Sequence, residues 1–185
     1  MMTKFPKLSM EELDRVSVDE FHNLDKTPII VVLDNIRSAN NVGSFFRTAD
    51  AFRIEKIILC GITSTPPNKE IQKTALGAYE SVEWEYQKDT LSVVEKLKKE
   101  GVYTISIEQA HNSISLKDIK SKFYDGKIAV IFGNEVNGVD QEVINQSDSC
   151  IEIPQWGTKH SLNVAVSGGI ILWHLLNSIQ NQGLE

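Results

Sequence analysis

The sequence predicts an α/β domain with a largely parallel sheet flanked by helices. Short aliphatic runs of strand length recur along the chain. Segments with helical periodicity separate them. Glycine or proline closes most of the runs. Strands that alternate with helices point to βα units and parallel pairing.

The elements follow in order. Residues 1–26 are polar and read as an N-terminal helical arm, and residues 27–185 as one domain. In the arm, Ser9-Met10-Glu11-Glu12 has the form of a capping box, in which Ser9 caps and Glu12 reaches back. Ser17-Val18-Asp19-Glu20 repeats that logic. Residues 29–33, after Pro28, are continuously aliphatic, as in a strand covered on both faces. Residues 41–52 are helical, with Val42, Phe45, Ala49 and Phe52 near one face. A strand at 56–60 is closed by Gly61. The loop Ser64-Thr65-Pro66-Pro67-Asn68 leads to a helix at 69–76, and 82–86 is a short strand. A helix at 91–99 turns Leu91, Val94 and Leu97 inward and stops at Gly101. Strands at 102–107, 128–132 and 150–153 follow, the last ended by Pro154. A long helix at 162–179 ends the pattern. Its apolar residues occupy more than one face: Leu162, Val166 and Trp173 on one, Ala165, Leu172 and Leu175 on another. Such a helix is buried or lies at an interface. Gly168 and Gly169 inside it together cost roughly 2 kcal/mol against two alanines. Close approach of another backbone, as in a homodimer, would offset that cost.

The bulk numbers fit a globular protein. The chain has 185 residues, 41% hydrophobic and 24% charged, with a net charge of −6. That length suffices for a core without disulfides. No apolar run reaches the roughly 18 residues of a membrane span. Residues 1–10 carry charge but no apolar core, unlike a signal peptide. A cytoplasmic location is the resulting expectation. Cys60 and Cys150 lie at or inside apolar runs and read as reduced thiols. No Cys/His spacing points to a metal site. The acidic total does not advertise a nucleic-acid binder, but residues 37–73 hold six basic side chains against three acidic ones. That segment is net positive.

Three segments carry the chemistry. The first, Asn40-Asn41-Val42-Gly43-Ser44-Phe45-Phe46-Arg47-Thr48, follows a buried strand, where α/β proteins place ligands. Asn40 or Asn41 can cap the helix, and Gly43 permits close approach to its first turn. Arg47 falls on the polar side, as a phosphate-binding guanidinium or as a solvated surface arginine. The second is Phe132-Gly133-Asn134-Glu135-Val136-Asn137-Gly138-Val139. Its glycine spacing matches the start of a phosphate loop, but Val139-Asp140 stands where Lys-Ser/Thr is required. No G-x-G-x-x-G occurs either. A glycine turn carrying a glutamate suits a neutral or cationic ligand. The third runs from Ile151 through Pro154 and His160-Ser161-Leu162-Asn163 to Val164. A strand ends there, an irregular loop follows, and Ser161 or His160 caps the last helix. His160-Ser161 is not a hydrolase pair, since no G-x-S-x-G is present.

In this order and at these separations, Asn41-x5-Arg47, Gly133-Asn134-Glu135-x2-Gly138 and Ile153-Pro154 through Ser161-Leu162-Asn163-Val164 closely resemble the three motifs of the TrmH/SpoU family in the SPOUT superfamily. The match runs from about Pro28 to the C-terminal helix. The resemblance implies transfer of the methyl of S-adenosylmethionine to a ribose 2′-hydroxyl of tRNA or rRNA. It implies a C-terminal trefoil knot, one of the rare exceptions to the rule against knots, and a homodimer formed through the last helix. It places the cofactor against Gly133, Asn134, Glu135, Gly138, Ile153, Pro154, Ser161 and Leu162, with Ile153 and Leu162 flanking the adenine. Arg47 becomes the residue at the reacting hydroxyl, with Asn41, Glu135, Ser161 and Asn163 as its polar shell. Arginine is a poor base, so orienting the ribose and stabilising the alkoxide suits Arg47 better. Only some 26 residues precede the first strand. RNA recognition is therefore expected from the arm, the dimer surface and the basic segment, with Arg37, Lys69 and Lys73 as phosphate contacts. Two other readings compete. One is a non-catalytic RNA-binding protein that keeps the knot, against which the complete polar set argues. The other is a Rossmann-type nucleotide binder, against which the missing phosphate-loop signatures argue.

Overall fold

A computed structural model of the chain describes residues 4–9, 11–119 and 126–180. The remaining parts of the predicted arm and domain, at 1–3, 10, 120–125 and 181–185, lie outside the described residues.

Seven strands form one sheet in the order β3-β2-β1-β6-β4-β7-β5. They are β1 (Thr27–Asp34), β2 (Ile54–Cys60), β3 (Glu83–Gln87), β4 (Tyr103–Ile107), β5 (Ile114–Ser115), β6 (Ile128–Phe132) and β7 (Ser149–Glu152). Every pairing in it is parallel. β6 enters between β1 and β4, and β7 between β4 and β5, so both late strands insert among earlier ones. The helices are α1 (Val18–Asn23), α2 (Ala39–Ala51), α3 (Lys69–Ala75), α4 (Ala78–Ser81), α5 (Thr90–Lys99), α6 (Gln141–Gln146) and α7 (Val164–Gln180).

The aliphatic runs become strands because both faces of the sheet are covered. Side chains alternate between faces along a strand. Ile29, Val31 and Leu33 of β1 point into a core shared with Val42, Phe45 and Ala49 of α2 and Ile171, Leu172 and Leu175 of α7. Ile30 and Val32 point the other way, toward Val93, Val94 and Leu97 of α5 and Val143 of α6. Burial of that many aliphatic side chains is the main favourable term.

Both predicted capping boxes form. Ser9 and Glu12 exchange hydrogen bonds around a single 3-10 turn at Glu11–Leu13. Ser17 and Glu20 do the same at α1. Phe21 of α1 is buried, and the Lys26 ammonium sits 4.3 Å from its ring centre.

The caps of the two functional helices differ from expectation. Ser38, not Asn40 or Asn41, caps α2 by accepting from the Asn41 N–H. Asn163, not Ser161 or His160, caps α7: its Oδ1 accepts from the N–H groups of Ala165 and Val166. Gly43 does permit close approach, but to another helix: a Cβ there would stand 2.0 Å from Thr74 Oγ1 and 2.6 Å from the Ile71 carbonyl of α3. Gly168 makes room for a side chain of the same molecule, since a Cβ would lie 2.3 Å from Cε1 of Phe45. No backbone of another chain is needed to account for it. At Gly169 a Cβ would meet nothing within 4 Å. One face of α7 remains uncovered, with Val166, Ile170 and Trp173 exposed.

Candidate active site

The carboxyl ends of β1, β6, β4 and β7 lie side by side, and the loops that leave them converge. Between the loops lies a cleft of about 1200 Å³. Ligands of α/β sheets bind at such strand ends.

One wall is the loop after β6. It is built rigidly. Asn134 and Gly138 bond to each other in both directions through their backbones, at 2.9 and 2.8 Å. The Asn134 side chain donates to the Asn35 carbonyl at 2.7 Å and accepts from the N–H groups of Val136 and Asn137. The two glycines are required by this closure. A Cβ on Gly133 would stand 2.1 Å from the Gly138 carbonyl carbon, and Gly138 has φ +70, a region costly for side-chain-bearing residues.

Glu135 projects from that loop to the start of α2. Its Oε2 accepts from the Arg37 N–H at 2.9 Å. Its Oε1 accepts from the Ser38 N–H at 3.0 Å and from Asn41 Nδ2 at 2.9 Å. A carboxylate at a helix N-terminus is stabilised by the unpaired N–H groups there. Burial alone would raise the Glu135 pKa. The hydrogen bonds from Arg37, from its own backbone, from Asn41 and from Ser38 outweigh burial and leave it below the ordinary carboxyl range. The remaining oxygen of Asn41 accepts from Asn163 Nδ2 at 3.1 Å. Glu135, Asn41 and Asn163, one from each sequence motif, thus form a continuous hydrogen-bonded bridge at the rim of the cleft.

The opposite wall is the loop after β7. Ile153, Ser161, Leu162, Asn163 and Val164 line the cleft there, together with Gln155 and His160. Of the residues assigned to the cofactor by resemblance, Gly133, Asn134, Glu135, Gly138, Ile153, Ser161 and Leu162 all line it, whereas Pro154 does not. Pro154 ends β7 and turns the chain into the loop. Among the described residues the lining includes three carboxylates, Glu108, Glu135 and Glu152, and no lysine or arginine. Such a cleft suits a ligand that is neutral or positively charged, not a polyphosphate. Phe132, Ile144, Ile153 and Leu162 supply apolar surface.

Arg47 is not among the lining residues. It lies farther along α2, exposed, and its guanidinium has no hydrogen bond or ion pair among the described residues. Arg37, Lys69 and Lys73 are likewise exposed. Lys69 and Lys73 ride on α3, which is fixed to α2 by Gly43 and by the Thr74 hydroxyl donating to the Asn40 carbonyl at 3.0 Å. Arg47, Lys69 and Lys73 therefore belong to one packed helix pair.

Glu108 and Gln109, after β4, are site residues that the sequence reading missed. They stand outside the three motifs, at the end of an apolar strand, and nothing in their spacing marks them.

Burial is the largest influence on both thiols and pushes them up, Cys60 to about 12 and Cys150 above its ordinary value. Both are free, as the sequence suggested.

Comparison with known proteins agrees with this geometry. The SpoU rRNA Methylase family profile matches residues 28–173. A protein of Borreliella burgdorferi, described as an uncharacterized tRNA/rRNA methyltransferase, is 33% identical over 178 residues, 91% of this chain and 76% of its own length. The 23S rRNA (guanosine-2'-O-)-methyltransferase RlmB of Neisseria meningitidis is 30% identical over 83% of this chain. This chain spans only 60% of that enzyme. Among solved structures, the AdoMet-bound rRNA methyltransferase of Sinorhizobium meliloti superposes with a TM-score of 0.76 at 26% identity, over 86% of this chain and 60% of that one. The A. aeolicus TrmH/SpoU tRNA modifying enzyme has the same fold, with a TM-score of 0.78 at 22% identity over 90% of this chain and 84% of that one. With its three motifs joined at one cleft and its whole α/β domain matched, the chain belongs to the SpoU rRNA methylase family.

Proposed function

We propose that the chain transfers the methyl group of S-adenosylmethionine to a ribose 2′-hydroxyl of tRNA or rRNA. The observation that carries this reading is the bridge from Glu135 through Asn41 to Asn163. Its two bonds join residues 94 and 122 positions apart in sequence, at the rim of a cleft that fits the cofactor. The names of the Neisseria and Sinorhizobium relatives support it.

The residues fit the cofactor on their own chemistry. Its adenine is apolar and flat, and Ile153 and Leu162 line the cleft on the third-motif side. Its sulfonium is cationic, and among the described residues the lining carries carboxylates without a competing ammonium or guanidinium. When bound, S-adenosylmethionine supplies an electrophilic methyl group. The protein must then place the ribose oxygen in line with it. Asn41 and Asn163 are held by each other and by Glu135, so the rim is ordered before substrate arrives. Ser161 offers a hydroxyl to the cleft. Arg47 has a free guanidinium for an RNA phosphate and for the charge that develops on the ribose oxygen. Arginine is a poor general base, so the role given to Arg47 is orientation and charge stabilisation.

The same reading covers assembly and location. Val166, Ile170 and Trp173, exposed on α7, would be buried in a homodimer, and Arg37, Lys69 and Lys73 would meet RNA phosphates. The insertion of β6 and β7 among earlier strands supports the trefoil knot. Among the described residues no helix is long and apolar enough to cross a membrane, and the substrate class suits a cytoplasmic protein.

The test is incubation with methyl-labelled S-adenosylmethionine and total tRNA and rRNA. Incorporation into RNA is expected. RNA binding without incorporation would leave the non-catalytic reading. Titration calorimetry with S-adenosylhomocysteine, NAD and ATP should show binding of the first alone. Preference for NAD or ATP would return the chain to the Rossmann-type reading.

A further inference from the structure

Both walls of the cleft are tied to a third segment, the two residues that follow β4. Glu108 and Gln109 come from outside the three motifs. The Glu108 carboxylate lies under the loop after β6. Its Oε2 accepts from the Val139 N–H at 3.1 Å, and its Oε1 accepts from the Gln109 N–H at 2.8 Å. It fills the space that a side chain at Gly138 would need, since a Cβ there would stand 2.1 Å from Glu108 Oε2. Gln109 points the other way. Its Nε2 donates to the His160 carbonyl at 2.6 Å, in the loop after β7.

The two loops differ in what else holds them. The loop after β6 has its own backbone pairing and the Asn134 side chain. For the stretch between Pro154 and Asn163, the Gln109 to His160 bond is the one tie to another element among the described residues. Residues 156–163 are all exposed, so packing adds little. A loop with so few contacts opens easily.

We propose that Glu108 and Gln109 form a latch that positions both walls of the cofactor cleft, with Gln109 holding the 154–163 loop in its ligand-ready shape. The latch acts through the loops and not on the reacting atoms. It rests on the methyl-transfer reading for the identity of the ligand, but not for its effect on the loop. Without Gln109 Nε2, the loop samples open shapes, and binding must first close it. The loss falls on cofactor affinity. Chemistry at saturating cofactor is left nearly intact, because Asn163 stays tied to Asn41.

The experiment compares the wild-type chain with Gln109→Met, which keeps length and loses the donor, and with Glu108→Gln, which keeps one acceptor. Peptide-level hydrogen exchange on ligand-free protein should show faster exchange across residues 155–163 in Gln109→Met, with the sheet unchanged. Calorimetry with S-adenosylhomocysteine should show about tenfold weaker binding, the size of one lost hydrogen bond. In labelled-methyl assays, KM for S-adenosylmethionine should rise by a similar factor, with kcat within about twofold. Glu108→Gln should move the loop after β6 more than the one after β7. Unchanged exchange across 155–163 in Gln109→Met overturns the latch, whatever the ligand proves to be. If exchange rises but neither the wild type nor the variants bind S-adenosylhomocysteine, the latch stands and the methyl-transfer reading falls.

Discussion

The start and the middle of α2 are built for different work. At the start, Asn41 is held on both ends of its amide, by Glu135 and by Asn163. Ser38 closes the helix beneath it, and Gly43 seats α3 against it. About a turn and a half later, Arg47 is exposed and makes no hydrogen bond or ion pair among the described residues. A side chain so thoroughly tied shapes the rim of the cleft. A cation left free on an otherwise anchored helix is available to a partner. Fixed and reaching groups thus share one helix, with rigidity at its start giving the cation a known place.

The contrast can be broken from either end. The largest effect should come from Arg47→Ala. RNA methylation should fall by about 10²–10³, the scale of a lost electrostatic stabiliser. The melting temperature and calorimetric affinity for S-adenosylhomocysteine should hold. A fall in melting temperature would show that Arg47 is a structural residue after all.

Asn41→Ala should affect both function and stability. It unties Glu135 from Asn163 and should cost about 1 kcal/mol of stability, read by urea denaturation. Transfer should drop about tenfold to a hundredfold. Loss of stability with full activity would separate the bridge from the chemistry.

Asn163→Ala removes the α7 cap and the far end of the same bridge. Destabilisation of about 1 kcal/mol is expected from the cap alone. Combined with Asn41→Ala, its effect should be less than additive, because the two share one bond.

Acid provides a finer probe. The Glu135 pKa is lower in the folded protein than its ordinary value of 4.5. Its contribution is therefore full above that value and is lost as pH falls through the folded pKa. Glu135→Gln should therefore cost most at neutral pH, converge with the wild type in acid, and so flatten this part of the acid side of the stability curve. An unchanged acid limb would mean that the helix start does not depend on the charge. The smallest effect belongs to Lys69→Ala and Lys73→Ala. Each should weaken RNA binding a few-fold and lower the salt slope by about 1, as one phosphate contact does.

Much of the fold was legible in the sequence. The apolar runs of β1, β2 and β6 and the helical patterns of α2, α5 and α7 are long enough to be read directly. Packing on both faces of the sheet is what their composition requires. The four-residue α4, the two-residue β5 and the six-residue α6 were not legible. Elements that short are set by tertiary contacts, not by periodicity. The caps show the same limit. Any of several polar residues beside a helix start can cap it, and the choice depends on distant partners. Asn41 is taken by Glu135, which leaves the cap to Ser38. Asn163 spends its oxygen on the cap and its nitrogen on Asn41. The motifs found the walls of the cleft and could not find Glu108 and Gln109, whose role exists only once β4 lies beside β7. Resemblance also placed Arg47 at the reacting hydroxyl, but within this chain it stands outside the cleft.

Methyl transfer to ribose at the cleft is tested most directly on the RNA product. Purified chain should be incubated with methyl-labelled S-adenosylmethionine and total tRNA and rRNA, and the RNA digested to nucleosides for mass spectrometry. Label is expected on a 2′-O-methyl ribose, and it should fall about 10²–10³-fold when Arg47→Ala replaces the wild type. Label confined to a base, or no label in any RNA, would contradict it.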